Sequence, residues 1–275
     1  MAEWVSLTSK ADLDEKARAL RRKCRGHYFS NYVWFSTAIE KEMPYSPMWL
    51  LEDGDNMLLL QQYNGFFKLF YFIGDIEHLN LRFPQQATES HVLCEYFEEE
   101  GKEKQGVMGM ALAQQGFTLY RKFYMWECEG VMKELPPRND LSFDSAFSRE
   151  QLRELIDAFD PFVDLTPLPE LFEEYYNSKH YFVCYVDGEY AGVVVYTLKE
   201  QVIDEDLIYV KPQFRGTGKY LYAAFLNHAI NELGCKKVVP WVHTDNLKSI
   251  SFHTAAGAKQ TAYYKLSLLT NLNQK

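Results

Sequence analysis

The stretch Val210-Lys211-Pro212-Gln213-Phe214-Arg215-Gly216-Thr217-Gly218-Lys219 decides how this chain reads. The segment before it, Val202–Val210, has the composition of a strand, and a helical pattern begins at once after Gly218. Two glycines between them permit positive φ and close backbone approach. Such a turn aims the first N–H groups of the helix into one concavity, where the helix dipole favours an anion. Arg215 and Lys219 add positive charge. The segment reads as a phosphate cradle, with a plain strand-to-helix turn as the alternative. The Walker A spacing GxxxxGK[ST] is absent, and position 221 is Leu221 where the dinucleotide pattern GxGxxG needs glycine.

Downstream, Leu226, Ile230 and Leu233 are spaced for one buried helix face, and Gly234 is a stop signal. Lys237–His243 reads as a strand, 246–256 as a short helix and 263–269 as a last strand. Upstream, strands at 181–186 and 190–198 flank Asp187-Gly188, a hairpin signal. Ser148-Arg149-Glu150-Gln151 forms a capping box for a helix running to Phe159, and Thr166-Pro167 is expected to start another. An antiparallel start, with strands before and after helices, predicts a mixed α/β sheet.

Gln213-x-x-Gly216-x-Gly218 after a strand ending Val-x-Pro resembles the Gcn5-related N-acetyltransferase (GNAT) superfamily, whose Q/R-x-x-G-x-G/A loop binds the pyrophosphate of acetyl-CoA. Asn246, Ser249 and Phe252-His253, closed by Gly257-Ala258, are similar to the family's second element, N-x-x-A/S…Y-x-x-x-G-F. The resemblance covers about 148–270 in the family's order. It implies that Ile208, Tyr209, Val210, Gln213, Arg215, Gly216, Thr217, Gly218, Lys219, Tyr220, Asn246, Ser249 and Phe252 hold acetyl-CoA as acyl donor, without a metal. It also implies that Val202–Val210 and Lys237–His243 splay apart to admit pantetheine. Pro240, which lacks a ladder donor, suits a strand beside such a gap, although an ordinary bulge accounts for it equally. Two positions depart from the pattern. His253 stands where the family has a tyrosine often proposed as general acid, and Ala258 stands where it has phenylalanine.

Attack of an amine on a thioester needs a base for the ammonium, a donor for the oxyanion and a proton for the leaving thiolate. The resemblance assigns the oxyanion to the backbone N–H of Val210 or its neighbour. Asp204, Glu205 and Asp206 precede the loop, and alternation puts Asp204 and Asp206 on one face and Glu205 on the other. Asp204 matches by position the carboxylate that serves as base in several family members, and Asp206 shares its face. A solvated strand end is the other reading. His253 can donate or accept a proton near neutrality, and is otherwise a surface histidine; His243 is a weaker candidate. Cys184 and Cys235 lack the sequence features of a nucleophile, which favours direct transfer over a covalent acyl-enzyme.

The remaining 275-residue composition sets bounds. A charge of -9 argues against a general nucleic-acid or acidic-membrane binder. Five scattered cysteines without a CxxC pair fit neither a disulfide framework nor a zinc site. No secretory pattern opens the chain and no apolar run nears about 20 residues, so a cytoplasmic protein without membrane partners is expected.

Leu135-Pro136-Pro137 interrupts helix formation and suggests domains at 1–135 and 136–275. In the first half, a charged helix is expected at 11–23, and strand-like runs at 57–60 and Phe66–Ile73 enclose Asn64-Gly65. The aromatic run Phe66–Ile73 reads as a strand buried on both faces. A helix at 105–116 ending in Gly116-Phe117, then a strand at 120–126, repeats the order seen at Gly257-Ala258 and 263–269. This faint repeat suggests two similar domains in tandem, the first degenerate because it lacks Gln-x-x-Gly-x-Gly; an unrelated α/β domain is the alternative. The expected activity is N-acetyl transfer to a small-molecule or peptide amine. The rivals are a non-catalytic CoA-binding module and an aminoacyl-tRNA-dependent transferase.

Overall fold

The structure, a computed structural model, describes all residues except 1–2, 25–27, 85–86, 88, 103–105, 133–134, 163–165 and 272–275. Gln105, where the sequence starts its second helix, lies outside the described residues, as do Lys133 and Glu134 beside the proline segment. The chain forms two compact units: Met1–Lys122 with Leu168–Glu170 and Tyr264–Lys275, and Phe123–Pro167 with Leu171–Tyr263. This division differs from 1–135 and 136–275. The chain passes between units inside two strands, and the segment at Pro136-Pro137 lies within the second unit.

In chain order the first unit holds β1 (Val5–Ser6), α1 (Lys10–Lys23), β2 (Phe29–Ser30), α2 (Ser36–Glu42), β3 (Met48–Asp53), β4 (Asn56–Tyr63), β5 (Phe66–Ile73), β6 (His91–Glu99), α3 (Gly106–Gln114) and the start of β7 (Thr118–Glu127). The second holds the rest of β7, then β8 (Leu141–Asp144), α4 (Arg149–Asp157), α5 (Phe172–Ser178), β9 (His180–Val186), β10 (Glu189–Lys199), β11 (Val202–Val210), α6 (Gly218–Asn227), β12 (Lys237–His243), α7 (Leu247–Ala255) and the start of β13 (Lys259–Asn271). Strand order is β1-β3-β4-β5-β6-β13 in the first unit and β7-β12-β11-β10-β9-β8 in the second.

Each unit has an antiparallel hairpin leading to a parallel pair. Asn64-Gly65 (φ 40° and 86°) and Asp187-Gly188 (φ 49° and 82°) both turn with two positive φ values, the geometry that matches strand twist in two-residue hairpins. β5 then pairs in parallel with β6 at Phe67↔Val92 and Lys68↔Leu93, and β11 with β12 from Val202↔Lys237 to Glu205↔Pro240. The backbone repeat extends to the helix ends. Phe117 N–H donates to Leu112 O at 3.1 Å and Ala258 N–H to His253 O at 3.0 Å, across Gly116 and Gly257 with φ of 94° and 83°.

Burial follows the pleat. Leu69, Tyr71 and Ile73 face one core of the first unit while Phe70 and Phe72 face another, so the aromatic strand is buried on both sides as its composition predicts. In the second unit Val194, Tyr196 and Ile203 pack with α6 under one face of the sheet, and Val193 and Val195 pack with α4 and α5 on the other. The capping box forms as expected, with Ser148 N–H donating to Gln151 Oε1 at 2.8 Å and Gln151 N–H to Ser148 Oγ at 3.2 Å.

One side chain closes the opening between β5 and β6. Asn31 is wholly buried. Its Nδ2 donates to Leu69 O on β5 at 3.2 Å and to Glu95 O on β6 at 2.8 Å, and its Oδ1 accepts from Tyr71 N–H at 2.9 Å. Beyond Lys68↔Leu93 the two strands are thus held through a side-chain amide.

Two expectations are corrected. Thr166-Pro167 does not start a helix; a 3-10 turn occupies Pro169–Leu171 and α5 follows, because Leu168 precedes a second proline and is pushed out of helical space. The helix after Gly218 changes to a π-turn over His228–Glu232. The wider turn rotates the face, so Ala229 is buried and Leu233 is exposed, in place of the expected burial of Ile230 and Leu233. Gly234, at φ 68°, does end the segment.

Candidate active site

The second unit's parallel ladder stops at Glu205↔Pro240, although β11 runs to Val210 and β12 to His243. The strands part there, and Pro240 is the last residue of β12 in the ladder. On its other side β11 is bulged against β10: Val195 faces Leu207 and Tyr196 faces Glu205, leaving Asp206 as the extra residue. A second irregularity in β10, at Tyr190–Gly192, lets Ala191 O accept Lys211 N–H at 2.8 Å and fixes the start of the loop. Gly192 is required there, since a Cβ would lie 2.5 Å from Tyr209 O.

The loop itself is a 3-10 turn over Pro212–Phe214, then Gly216 at φ 91°, then α6. Phe214, Thr217, Tyr220 and Leu221 N–H groups bond inside the loop and first helical turn. Those of Arg215, Gly216, Gly218 and Lys219 have no backbone or side-chain acceptor among the described residues, as the start of a helix dictates. Gln213, Arg215, Gly216 and Lys219 are exposed, while the Thr217 side chain is buried and offers only backbone. Tyr220 carries two cations over its ring: Lys219 Nζ at 5.1 Å and, unforeseen, the Arg138 guanidinium at 5.4 Å. Four free amides, a helix N-terminus and nearby cations fit a pyrophosphate.

Beside the loop lies an open apolar groove of about 470 Å³, lined by Met132, Lys219, Leu247, Lys248, Phe252 and Ala255 among others. It brings Lys219 and Phe252 together. Asn246 is the N-cap of α7, its Oδ1 accepting Ser249 N–H at 3.1 Å, so that oxygen already has a structural use. Ser249 Oγ lies 3.2 Å from His253 Nδ1. Ile208 and Val210 pack toward the α6 core, whereas Tyr209 turns to the other face, 6.2 Å from the Phe159 ring.

The three acids separate as alternation demands. Asp204 is half-exposed and pairs with Lys199. The Asp206 side chain is largely enclosed: its Oδ2 accepts from Lys179 Nζ at 2.7 Å and from Thr197 Oγ1 at 3.0 Å. Burial raises the Asp206 pKa above the ordinary 3.8, against the opposing pull of Lys179 and Thr197. Glu205 points into the opposite core with His253, which is 1% exposed and therefore not a surface histidine. His253 Nε2 is 3.4 Å from Glu205 Oε1, and His253 Nδ1 is 2.8 Å from Ser249 O. Burial works against a charged imidazole, but Glu205 and the Ser249 carbonyl outweigh it and raise the pKa above 6.5. The sequence left Glu205, Lys179, Thr197 and Tyr222 out of the site. Only the alternation at 204–206 held a signal for Glu205, and nothing local marks the others.

Residues 149–258 match the Acetyltransferase (GNAT) family. This segment belongs to that family. The whole chain has the fold of tandem GNAT proteins. A tandem GNAT protein from the clavulanic acid biosynthesis pathway, solved without acetyl-CoA, covers 100% of each chain with a TM-score of 0.60 at 12% identity. A Drosophila protein covers 100% of each chain with a TM-score of 0.54 at 12% identity. A GCN5-related N-acetyltransferase from Sphaerobacter thermophilus covers 98% of this chain and 96% of its own, with a TM-score of 0.55 at 10% identity. Such identities establish fold alone. No curated protein matches the sequence.

Among the described residues no group of three or more His, Cys, Asp or Glu side chains could hold a metal ion, and no helix is long and apolar enough to cross a membrane.

Proposed function

We propose that the second unit transfers an acyl group, acetyl in the simplest case, from acyl-CoA to a primary amine by direct attack in a ternary complex. The observation that carries this reading is the parting of β11 from β12 at Glu205–Pro240, with the free-amide loop at the far end of β11. Acetyl-CoA supplies an activated acyl group as a thioester. The Arg215, Gly216, Gly218 and Lys219 amides would hold its pyrophosphate, with the Arg215 and Lys219 side chains and Arg138 adding positive field. The unpaired edge of β11 beyond Glu205 offers backbone groups to the pantetheine amides, and the groove beside Phe252 and Lys219 adds apolar surface.

Of the two acids on the α4/α5 face, Asp206 holds the ammonium of Lys179 in an enclosed pair, whereas Asp204 is half-exposed and its partner Lys199 is an exposed lysine that solvent can release. Asp204 is therefore the base assigned to the incoming ammonium, and Asp206 fixes the bulge. Direct attack is favoured because burial pushes the Cys128, Cys184 and Cys235 thiols up, Cys184 to about 11, leaving no thiolate near neutrality. The first unit lacks a glycine loop and its strand opening is filled by Asn31, so one acyl-CoA per chain is expected.

Thermal unfolding with and without acetyl-CoA tests the reading. A specific ligand at about 100 times its Kd stabilises the fold by roughly 2.7 kcal/mol. A shift in the wild type that is lost in Arg215→Glu, followed by acetylation of some member of an amine panel, supports it. No shift makes the loop a structural turn, and a shift without turnover makes the domain a CoA-binding module.

A further inference from the structure

On the α6/α7 side of the strand split, three buried side chains aim polar atoms at one another. Glu205 comes from β11 at the last rung of the parallel ladder, His253 from α7 and Tyr222 from α6. The Tyr222 ring meets the imidazole edge-on with centroids 5.1 Å apart. Among the described residues no hydrogen bond of ordinary geometry reaches Glu205 Oε2, Tyr222 OH or His253 Nε2, although Glu205 lies beside both other side chains. Polar atoms left unmatched in a dry core are costly and call for an explanation.

Proton counting supplies one. His253 Nδ1 lies 2.8 Å from Ser249 O, which only accepts, so Nδ1 carries a hydrogen. If His253 Nε2 and Glu205 Oε1 were both bare, two lone pairs would face each other across 3.4 Å. One proton therefore lies between them, giving either imidazolium with carboxylate or imidazole with carboxylic acid. The other titratable groups facing the pair are Tyr222 and Cys128. Both are kept neutral, Tyr222 by burial and the Glu205 charge, and Cys128 by burial.

We propose that Glu205 is a positioning residue that keeps this proton at His253 Nε2 and makes the Glu205–His253–Tyr222 cluster the proton source for the departing thiolate. The inference rests on the acyl-transfer reading above. In balance, the amine nitrogen bonds to the acyl carbon and the carbon–sulfur bond breaks with its electron pair passing to sulfur. The sulfur takes the proton held by the cluster. One proton leaves the ammonium through Asp204 before attack, and the surplus proton on the new amide nitrogen restores the cluster.

The test is an NMR titration of ring-labelled histidine in the full chain without ligand. The His253 resonance, assigned by its loss in His253→Gln, titrates with a midpoint above 6.5 in the wild type. In Glu205→Gln it falls by about one unit or more, because burial then acts unopposed. Steady-state kinetics add a second readout: Glu205→Gln lowers kcat roughly 10- to 100-fold and shifts its pH profile, with KM for acetyl-CoA within about threefold. If Glu205→Gln does not fold, Glu205→Asp decides, since a shorter arm must also lower the midpoint. An unchanged midpoint, or an unchanged kcat profile beside a shifted midpoint, overturns the proposal. If the wild type binds no acetyl-CoA and acetylates nothing, the acyl-transfer reading fails, and the titration still shows whether Glu205 sets the charge on His253.

Discussion

The two units open their sheets at the same place and fill the opening differently. In the first, β5 and β6 part after Lys68↔Leu93 and the amide of Asn31 bonds both edges. In the second, β11 and β12 part after Glu205↔Pro240, and no side chain among the described residues bonds the backbone of 206–210. An amide that donates to two strands and accepts from one does for the first opening what pantetheine amides are proposed to do for the second. On the proposed reading, one fold serves as scaffold in the first unit and as site in the second. Backbone groups at a strand split need partners, whether a side chain, a ligand or water. A side chain occupies the split permanently, whereas a ligand does so by mass action.

The largest expected effect breaks the first opening. Asn31→Ala strands Leu69 O, Glu95 O and Tyr71 N–H together, and a buried unsatisfied group costs about 1–3 kcal/mol. A loss of about 3 kcal/mol or more in urea unfolding of the first unit is expected, with acetyl-CoA affinity in the second unchanged. A loss below about 1 kcal/mol would mean that water replaces the amide at little cost, and the equivalence of the two fillings would be lost.

A second test turns on strand regularity. β4 pairs with β5 over eight residues without interruption, whereas β10 is irregular on both sides. Gly192 permits the irregularity beside β9. Gly192→Ala drives a Cβ against Tyr209 O and Val210, both backbone-anchored, at an expected cost of about 1–3 kcal/mol. Because Ala191 O holds Lys211 N–H, acetyl-CoA binding should weaken along with stability. An exchange to alanine in the regular β4, at exposed Gln62, should change neither by more than about 0.5 kcal/mol.

How far the sequence could see follows the range of the interaction. The Asn64-Gly65 and Asp187-Gly188 hairpins, the Ser148 capping box and the loop at 210–219 are local, and all were legible because neighbouring residues alone dictate φ, ψ and capping. The filling of the first opening was not. Asn31 bonds partners 38 to 64 positions away, and a lone asparagine between Ser30 and Tyr32 carries no such signal. His253 read as a proton donor or acceptor or else as a surface group, and only the tertiary position of Glu205 explains its burial. The π-turn at His228–Glu232 rotated a helix face that regular periodicity had set.

The third prediction concerns pH. The raised pKa of His253 means that the folded state binds a proton more tightly than the unfolded chain. Its stabilising contribution is complete below about 6.5 and is lost as pH rises through the elevated folded value. Stability measured from pH 6 upward should therefore decline with a component that His253→Gln abolishes. The first unit's opening, held by a neutral amide, should add no such component, and Asn31→Asp would introduce one of its own. A stability curve for His253→Gln parallel to that of the wild type would remove the proton from the account of the second opening.

The smallest effect compares the helices that begin beside the two sheets. Ser9 caps α1 with one bond, Asp12 N–H to Ser9 Oγ at 3.3 Å, whereas Ser148 and Gln151 cap α4 reciprocally. Replacing either serine by alanine costs between about 0.5 and 2 kcal/mol. The reciprocal cap also leaves the Gln151 side chain without its geometry, so Ser148→Ala should cost near 1 kcal/mol and Ser9→Ala about half that. The difference matters because Leu152 and Leu155 of α4 pack under Val193 and Val195, on the same sheet face as Asp206 and Lys179. If fraying of α4 loosens that face, Ser148→Ala should raise KM for the amine while leaving acetyl-CoA binding intact, an outcome that Ser9→Ala cannot produce from the first unit. Equal kinetic effects from both serines would show that the cap acts on global stability and not on the acceptor face.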